Sequence, residues 1–158
     1  MTATPAEPVA ASATTGALTG ARKNALIAAI FLSGLLILGI WLAFLFAGHG
    51  VFGLNHHNLK PKNNQLGDQG VLDLHRAIGN ILGIVSLLTL IAMAVARPGK
   101  RLIYLMALLL ILAGIGQPLL AGIGEDHSWV GGLHVLDAGI ILILAFIVHL
   151  GLRKVPRA

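Results

Sequence analysis

Apolar residues dominate four long segments of the chain, and polar or charged residues are concentrated between them. The four segments cover about residues 25–48, 71–96, 102–121 and 130–152. Each has roughly the 20 apolar residues that an α-helix needs to cross a bilayer core of about 30 Å. A spanning helix satisfies its own backbone hydrogen bonds, so this pattern predicts an all-α fold: an integral membrane four-helix bundle with up-down-up-down connectivity.

The connections between these segments differ in length and composition. Residues 1–21 are rich in Ala, Thr, Pro and Gly, which is typical of a disordered tail. Residues 22–155 form the predicted transmembrane domain. The first connection, residues 49–70, is a long polar loop rich in histidine, whereas Pro98 and Gly99 predict a tight turn after the second helix.

Composition excludes a soluble domain and several kinds of chemistry. Hydrophobic residues make up 56% of the chain and charged residues only 11%, against about 25% charged residues in an average soluble domain. The chain has no cysteine, which excludes disulfides, thiolate metal sites and covalent haem attachment. The formal net charge of +5 lies at helix ends, where it acts as an orientation signal, so we expect no nucleic-acid partner.

The basic residues predict how the bundle is oriented in the membrane. One side carries Arg22, Lys23, Arg97, Lys100, Arg101, Arg153, Lys154 and Arg157. The loops of the other side have only Lys60 and Lys62, which nearby acidic residues offset. By the positive-inside rule, both termini are cytoplasmic and the histidine-rich loop lies outside the plasma membrane. The lipid bilayer is therefore the first expected partner.

Two histidines lie near the predicted outer ends of the second and fourth helices. His75 and His134 are each about four residues below the membrane boundary, or about 6 Å at 1.5 Å per residue. Gln117 on the third helix and Asp137, three residues after His134, reach the same level. Ionisable groups in spanning helices usually face the bundle interior, so these side chains, together with Arg76, are predicted to converge in one layer.

A pair of histidines on non-adjacent helices indicates a site for one haem b near the outer leaflet. Imidazole is a common haem ligand, and His75 and His134 would supply both axial positions. Gly79 and Gly83, one and two turns below His75, would leave room for a flat macrocycle. Arg76 is a candidate partner for a haem propionate, because a guanidinium suits a carboxylate.

In the haem interpretation, Gln117 or Asp137 also holds the second nitrogen of His134 and fixes its tautomer. The same residues equally allow a purely structural interpretation. In the structural interpretation, Gly79-x-x-x-Gly83 is a close-packing motif between membrane helices. The histidines then hydrogen-bond to a neighbouring helix. The residue types leave both interpretations open.

Other metal sites and catalysis have weaker support. A second haem would use Met93, about five turns below His75, and His149, about four turns below His134. Copper or zinc in the outer loops would use imidazoles, which suit both metals: His49, His56, His57 and His127. The chain has no nucleophile elbow, Walker loop or dinucleotide fingerprint, so no catalytic residue is predicted.

Three short motifs give the chain a family resemblance. The sequences Leu74-His75-Arg76-x-x-Gly79-Asn80, Gln117-Pro118-Leu119-Leu120-Ala121-Gly122 and Leu133-His134 resemble a family of small bacterial four-helix membrane proteins, over about residues 25–152. This resemblance implies the topology and no activity. The chain is also similar, more loosely, to one half-bundle of haem A synthase and to b-type membrane cytochromes, which implies axial ligation by His75 and His134. The outer-loop cysteines of haem A synthase are missing here, so the similarity implies haem binding and not haem A synthesis.

Three functions remain open from the sequence. The first is electron transfer or haem handling by a protein with one haem b. The second is a non-catalytic accessory subunit, with structural histidines, that packs against a larger membrane complex of the respiratory type or forms a homo-oligomer. A transporter is the third, and it is disfavoured because the helices show no mid-membrane charge, broken helix or inverted repeat. None of these functions requires the protein to be an enzyme.

Overall fold

The computed structural model describes residues 20–56 and 72–156, with side chains described for residues 20–50 and 72–156. All regular structure in these ranges is helical. Four helices are long and apolar enough to span a membrane: Gly20–Gly50, Asp73–Ala96, Lys100–Gly124 and Ser128–Arg153. The predicted all-α fold with four candidate spans is therefore confirmed. The tail before residue 20 and the side chains of His56 and His57 lie outside the described residues.

The helices extend further than the sequence predicts. Their bounds are α1, Gly20–His56; α2, Asp73–Ala96; α3, Lys100–Ile111; a π-helical segment, Leu112–Gly116; α4, Gln117–Gly124; and α5, Ser128–Arg153. Residues 20–21 and 49–56 are thus helical where a tail and a loop were predicted. Glycines stand at positions 48, 50 and 53, but each costs a helix only about 1 kcal/mol and does not by itself end it. The apolar residues Val51, Phe52 and Leu54 lie among them.

The third span is helical from Lys100 to Gly124, but it contains a π-helical segment where the sequence predicts a regular helix over residues 102–121. Pro118 lies just after the π-helical segment, at the start of α4. A proline inside a helix has no N–H to donate, and its ring clashes with the carbonyl of residue i−4, here Gly114. The wider π turn accommodates this clash, and such turns are frequent at functional sites.

The helices α1, α2, α3 and α5 each bury a narrow stripe of mainly small or apolar residues. On α2 the buried residues are Ser86, Thr89, Met93 and Ala96, whose spacing of three or four places them on one face. Other large apolar side chains of α2 remain exposed, including Ile84 at 61% and Ile91 at 51%. In a helix of this length and hydropathy, those exposed faces are suited to lipid.

The four spans form a closed ring of neighbours. α1 packs against α2 and α5, and the third span packs against the same two helices. Within the described chain, α2 and α5 share no close backbone contact, so they lie diagonally across the bundle. The ends of the bundle differ in chemistry. The histidine end contains His75, Gln117 and His134, and the basic end contains Arg22, Arg97, Lys100, Arg101 and Arg153.

Candidate cofactor site

The two predicted ligands meet across the diagonal of the bundle. The ring centroids of His75 and His134 are 6.2 Å apart, with an angle of 72° between the ring planes. Both side chains are half-buried. α2 begins at Asp73 and α5 at Ser128, so His75 lies in the first turn of its helix and His134 in the second turn. The predicted convergence of the two rings is confirmed.

Each of these histidines is held by a backbone carbonyl of a neighbouring helix. The Nδ1 atom of His75 lies 2.9 Å from the carbonyl oxygen of Ala43 on α1. The Nδ1 atom of His134 lies 3.2 Å from the carbonyl oxygen of Gln117 on α4. A carbonyl oxygen only accepts hydrogen bonds, so both Nδ1 atoms must carry the proton. In the neutral rings, both Nε2 atoms then keep a free lone pair, as in histidines that ligate a metal.

Gln117 also connects His134 to Asp137 through its side chain. Its amide nitrogen donates to the backbone oxygen of His134 at 2.9 Å and to Oδ2 of Asp137 at 2.8 Å. Asp137 is only 8% exposed. The sequence predicts that the side chain of Gln117 or Asp137 holds the second nitrogen of His134. The structure assigns that contact to the backbone of Gln117, while the Gln117 side chain holds Asp137.

Arg76 contacts two carboxylates of the chain itself. Its guanidinium lies 3.2 Å from Oε1 of Glu125 and 3.7 Å from Oδ1 of Asp73. These contacts join the first turn of α2 to the end of α4 at the histidine end. Arg76, the predicted partner of a haem propionate, is thus paired with carboxylates of the protein itself. Glu125 reaches its guanidinium because it directly follows the end of α4.

The two glycines after His75 have different surroundings. A Cβ atom added at Gly79 would meet nothing within 4 Å, and Gly79 is exposed. A Cβ atom at Gly83 would lie 4.0 Å from the Cα of Gly114 in the third span. The structure therefore directs Gly83 toward a neighbouring span, while no described atom packs against Gly79. Gly83 faces the third span, because α2 packs beside that span and lies diagonal to α5.

The remaining described histidines lie apart from this pair. His49 and His127 are exposed. Nδ1 of His149 lies 2.9 Å from Oγ of Ser33, which itself donates to the carbonyl of Ile30. The structure thus joins His149 to α1, and Met93 is fully buried. Among the residues that the structure describes, no group of three or more His, Cys, Asp or Glu side chains is placed to hold a metal ion.

The carbonyl groups that hold the two imidazoles could not be found from residue types. Every residue has a backbone carbonyl, so Ala43 carries no signal in the sequence. The carbonyl of Gln117 does have an indirect signal in the sequence. Pro118, which follows Gly114 and Gly116, predicts an irregular helix at this point.

No family model, curated protein or solved structure matches this chain. The resemblances drawn from the short motifs therefore remain predictions. The fold and the site by themselves define a class of protein: a helical bundle with four candidate membrane spans and a histidine pair between diagonal helices.

Proposed function

We propose that this protein binds one haem b between His75 and His134 and serves in electron transfer or haem handling. One observation carries the proposal: two half-buried imidazoles, 6.2 Å apart, each donate Nδ1–H to a carbonyl of a neighbouring helix. Both rings are thereby oriented and both Nε2 atoms are left available as ligands. The structural interpretation accounts for the two hydrogen bonds but does not require the two rings to approach each other across the diagonal of the bundle.

The rings of His75 and His134 lie 6.2 Å apart, so both would be available to one metal between the two helices. Two imidazoles would suffice to hold a haem iron, whereas a structural zinc ion takes four protein ligands.

A haem held by His75 and His134 would supply one-electron redox chemistry. The chain itself contributes orientation. Ala43 and Gln117 fix the two imidazoles, and the Gln117 side chain holds Asp137 beside the second ligand. A guanidinium pairs readily with carboxylates, so Arg76 is the candidate partner for a propionate in exchange with Glu125.

We further propose that the histidine end faces outward and that both termini are cytoplasmic. The support is the distribution of Arg and Lys, which favours the basic end as the cytoplasmic one. This orientation places the haem near the outer leaflet of the plasma membrane.

The test is haem content and absorption spectra of purified full-length protein, oxidised and dithionite-reduced. We expect one haem per chain and the spectrum of a low-spin haem b. His75→Ala or His134→Ala should abolish or strongly reduce the haem content, because each change removes one axial ligand.

Two other histidines provide matched controls. His149→Ala removes a membrane-embedded imidazole that contacts Ser33, and His127→Ala removes an exposed one. Both variants should retain haem. Colourless wild-type protein from cells with ample haem would contradict the proposal and favour the accessory subunit with structural histidines.

A further inference from the structure

The basic end of the bundle contains a cleft that the proposed haem site does not use. The cleft has a volume of about 570 Å³ and lies between the first turns of α1 and the last turns of α2. Its lining combines two guanidinium groups with three apolar side chains: Arg22, Arg97, Ile91, Ala94 and Val95.

The two arginines lack a carboxylate partner within the described residues. The ion pairs found there involve only Arg76. Nε of Arg22 is also buried and makes no hydrogen bond in the described chain. Guanidinium groups without an acceptor in the protein are available to an anionic group from outside.

The apolar part of the lining restricts the kind of acceptor. Ile91 is 51% exposed and Val95 is 49% exposed, on the last turns of a helix suited to span a membrane. A phosphate group at the arginines with a hydrocarbon chain along these residues matches both halves of the cleft. Basic pockets between membrane helices bind lipid headgroups in this way.

We propose that this cleft binds the headgroup phosphate of an anionic phospholipid, with one acyl chain against Ile91 and Val95. Guanidinium groups bind phosphate through paired N–H donors, which explains two arginines at this place. Arg97 is held there by its own backbone, since it ends α2 in the left-handed region at φ 53°. The site is independent of the haem proposal.

Thermal unfolding of the full-length protein in a neutral detergent tests the proposal. Phosphatidylglycerol, phosphatidylcholine and inorganic phosphate are titrated separately at matched phosphate concentration. Phosphatidylglycerol should raise the unfolding temperature, because a ligand that binds only the folded state stabilises it. Arg97→Gln should weaken the apparent affinity about fivefold, as expected for one basic residue at a lipid headgroup.

Two further variants make the result decisive. Arg153→Gln removes an arginine at the same end of the bundle but outside the cleft, and should change the apparent affinity less than twofold, as expected for screened, non-contacting charge. Arg22→Lys keeps the charge and should weaken binding less than Arg97→Gln. Equal losses in Arg97→Gln and Arg153→Gln would overturn the proposal in favour of diffuse attraction. Equal stabilisation by phosphatidylcholine or inorganic phosphate would overturn the anionic lipid as the ligand.

Discussion

Gln117 contributes to the site through both its backbone and its side chain. Its carbonyl holds the ring of His134, and its amide nitrogen reaches the backbone of His134 and the carboxyl group of Asp137. A buried polar group costs little when it is hydrogen-bonded and much more when its partner is removed. Since Asp137 is 8% exposed, its contact with Gln117 is important for stability.

This asymmetry gives a prediction for Gln117 and Asp137. Gln117→Leu should lower the free energy of unfolding by about 1–3 kcal/mol, because it leaves the carboxyl group buried without its donor. The double variant Gln117→Leu with Asp137→Leu should recover most of that loss, since replacing both partners by apolar groups is nearly neutral. Equilibrium unfolding in mixed micelles measures both values. A double variant as unstable as Gln117→Leu would contradict this account.

At the scale of the helices, small residues determine how closely neighbouring helices approach each other. Gly124, the last residue of α4, lies against Gly131 near the start of α5. A Cβ at Gly124 would be 3.0 Å from both Cα and N of Gly131. These are backbone atoms, so the helices themselves would have to move. The same turn carries Glu125, which contacts Arg76.

Two glycines of α4 therefore form a matched pair for mutation. Gly124→Ala should destabilise the protein by about 1–3 kcal/mol through overpacking. Gly122→Ala adds a Cβ that meets nothing within 4 Å. It should be neutral or stabilising by about 0.5–1 kcal/mol, because alanine favours the helix. Thermal unfolding of both variants measures the difference, and equal stability would show that the turn is not tightly packed.

Two fully buried serines make a second comparison between elements. Ser33 on α1 bonds to His149 on α5, whereas Oγ of Ser86 on α2 is buried without a hydrogen-bond partner in the described chain. Ser33→Ala should cost about 0.6 kcal/mol, and at most about 1.7 kcal/mol, as measured for hydrogen bonds between membrane helices. Ser86→Ala should leave stability unchanged or raise it, because it removes an unsatisfied hydroxyl. Equal losses in the two variants would indicate a packing effect alone.

The whole molecule has an asymmetric distribution of chemistry between its ends. The basic end carries the arginines of the cleft, and the histidine end carries the imidazole pair with its acidic neighbours. Exposed aromatic residues occur at both ends, with Tyr104 at 69% exposure near one and Trp129 at 68% near the other. This is the placement expected of residues at the two membrane interfaces.

Single-cysteine labelling tests the orientation without a background, since the chain has no cysteine of its own. Ser128→Cys at the histidine end should react with a membrane-impermeant maleimide in intact cells. Lys100→Cys at the basic end should react only after lysis, because the positive-inside rule places it in the cytoplasm. The reverse labelling pattern would refute the proposed orientation while leaving the haem site intact.

The sequence by itself determined the number of spans and the end of the bundle at which the polar residues lie. Both follow from local properties of the chain, because lipid requires backbone hydrogen bonds to be satisfied within each apolar segment. The helix ends were less well predicted, as α1 shows by continuing to His56. Where no strong helix-terminating residue follows, a long helix can continue beyond the end of its apolar segment.

The tertiary structure decided which residues face one another. In a membrane helix the lipid face is as apolar as the packed face, so residue types do not reveal the contact stripe. For this reason residue types did not reveal that Gly83 faces the third span, or that His149, considered for a second haem, bonds to Ser33. The orientation of His75 and His134 depends on the carbonyls of Ala43 and Gln117, and these two contacts exist only once all four spans have packed.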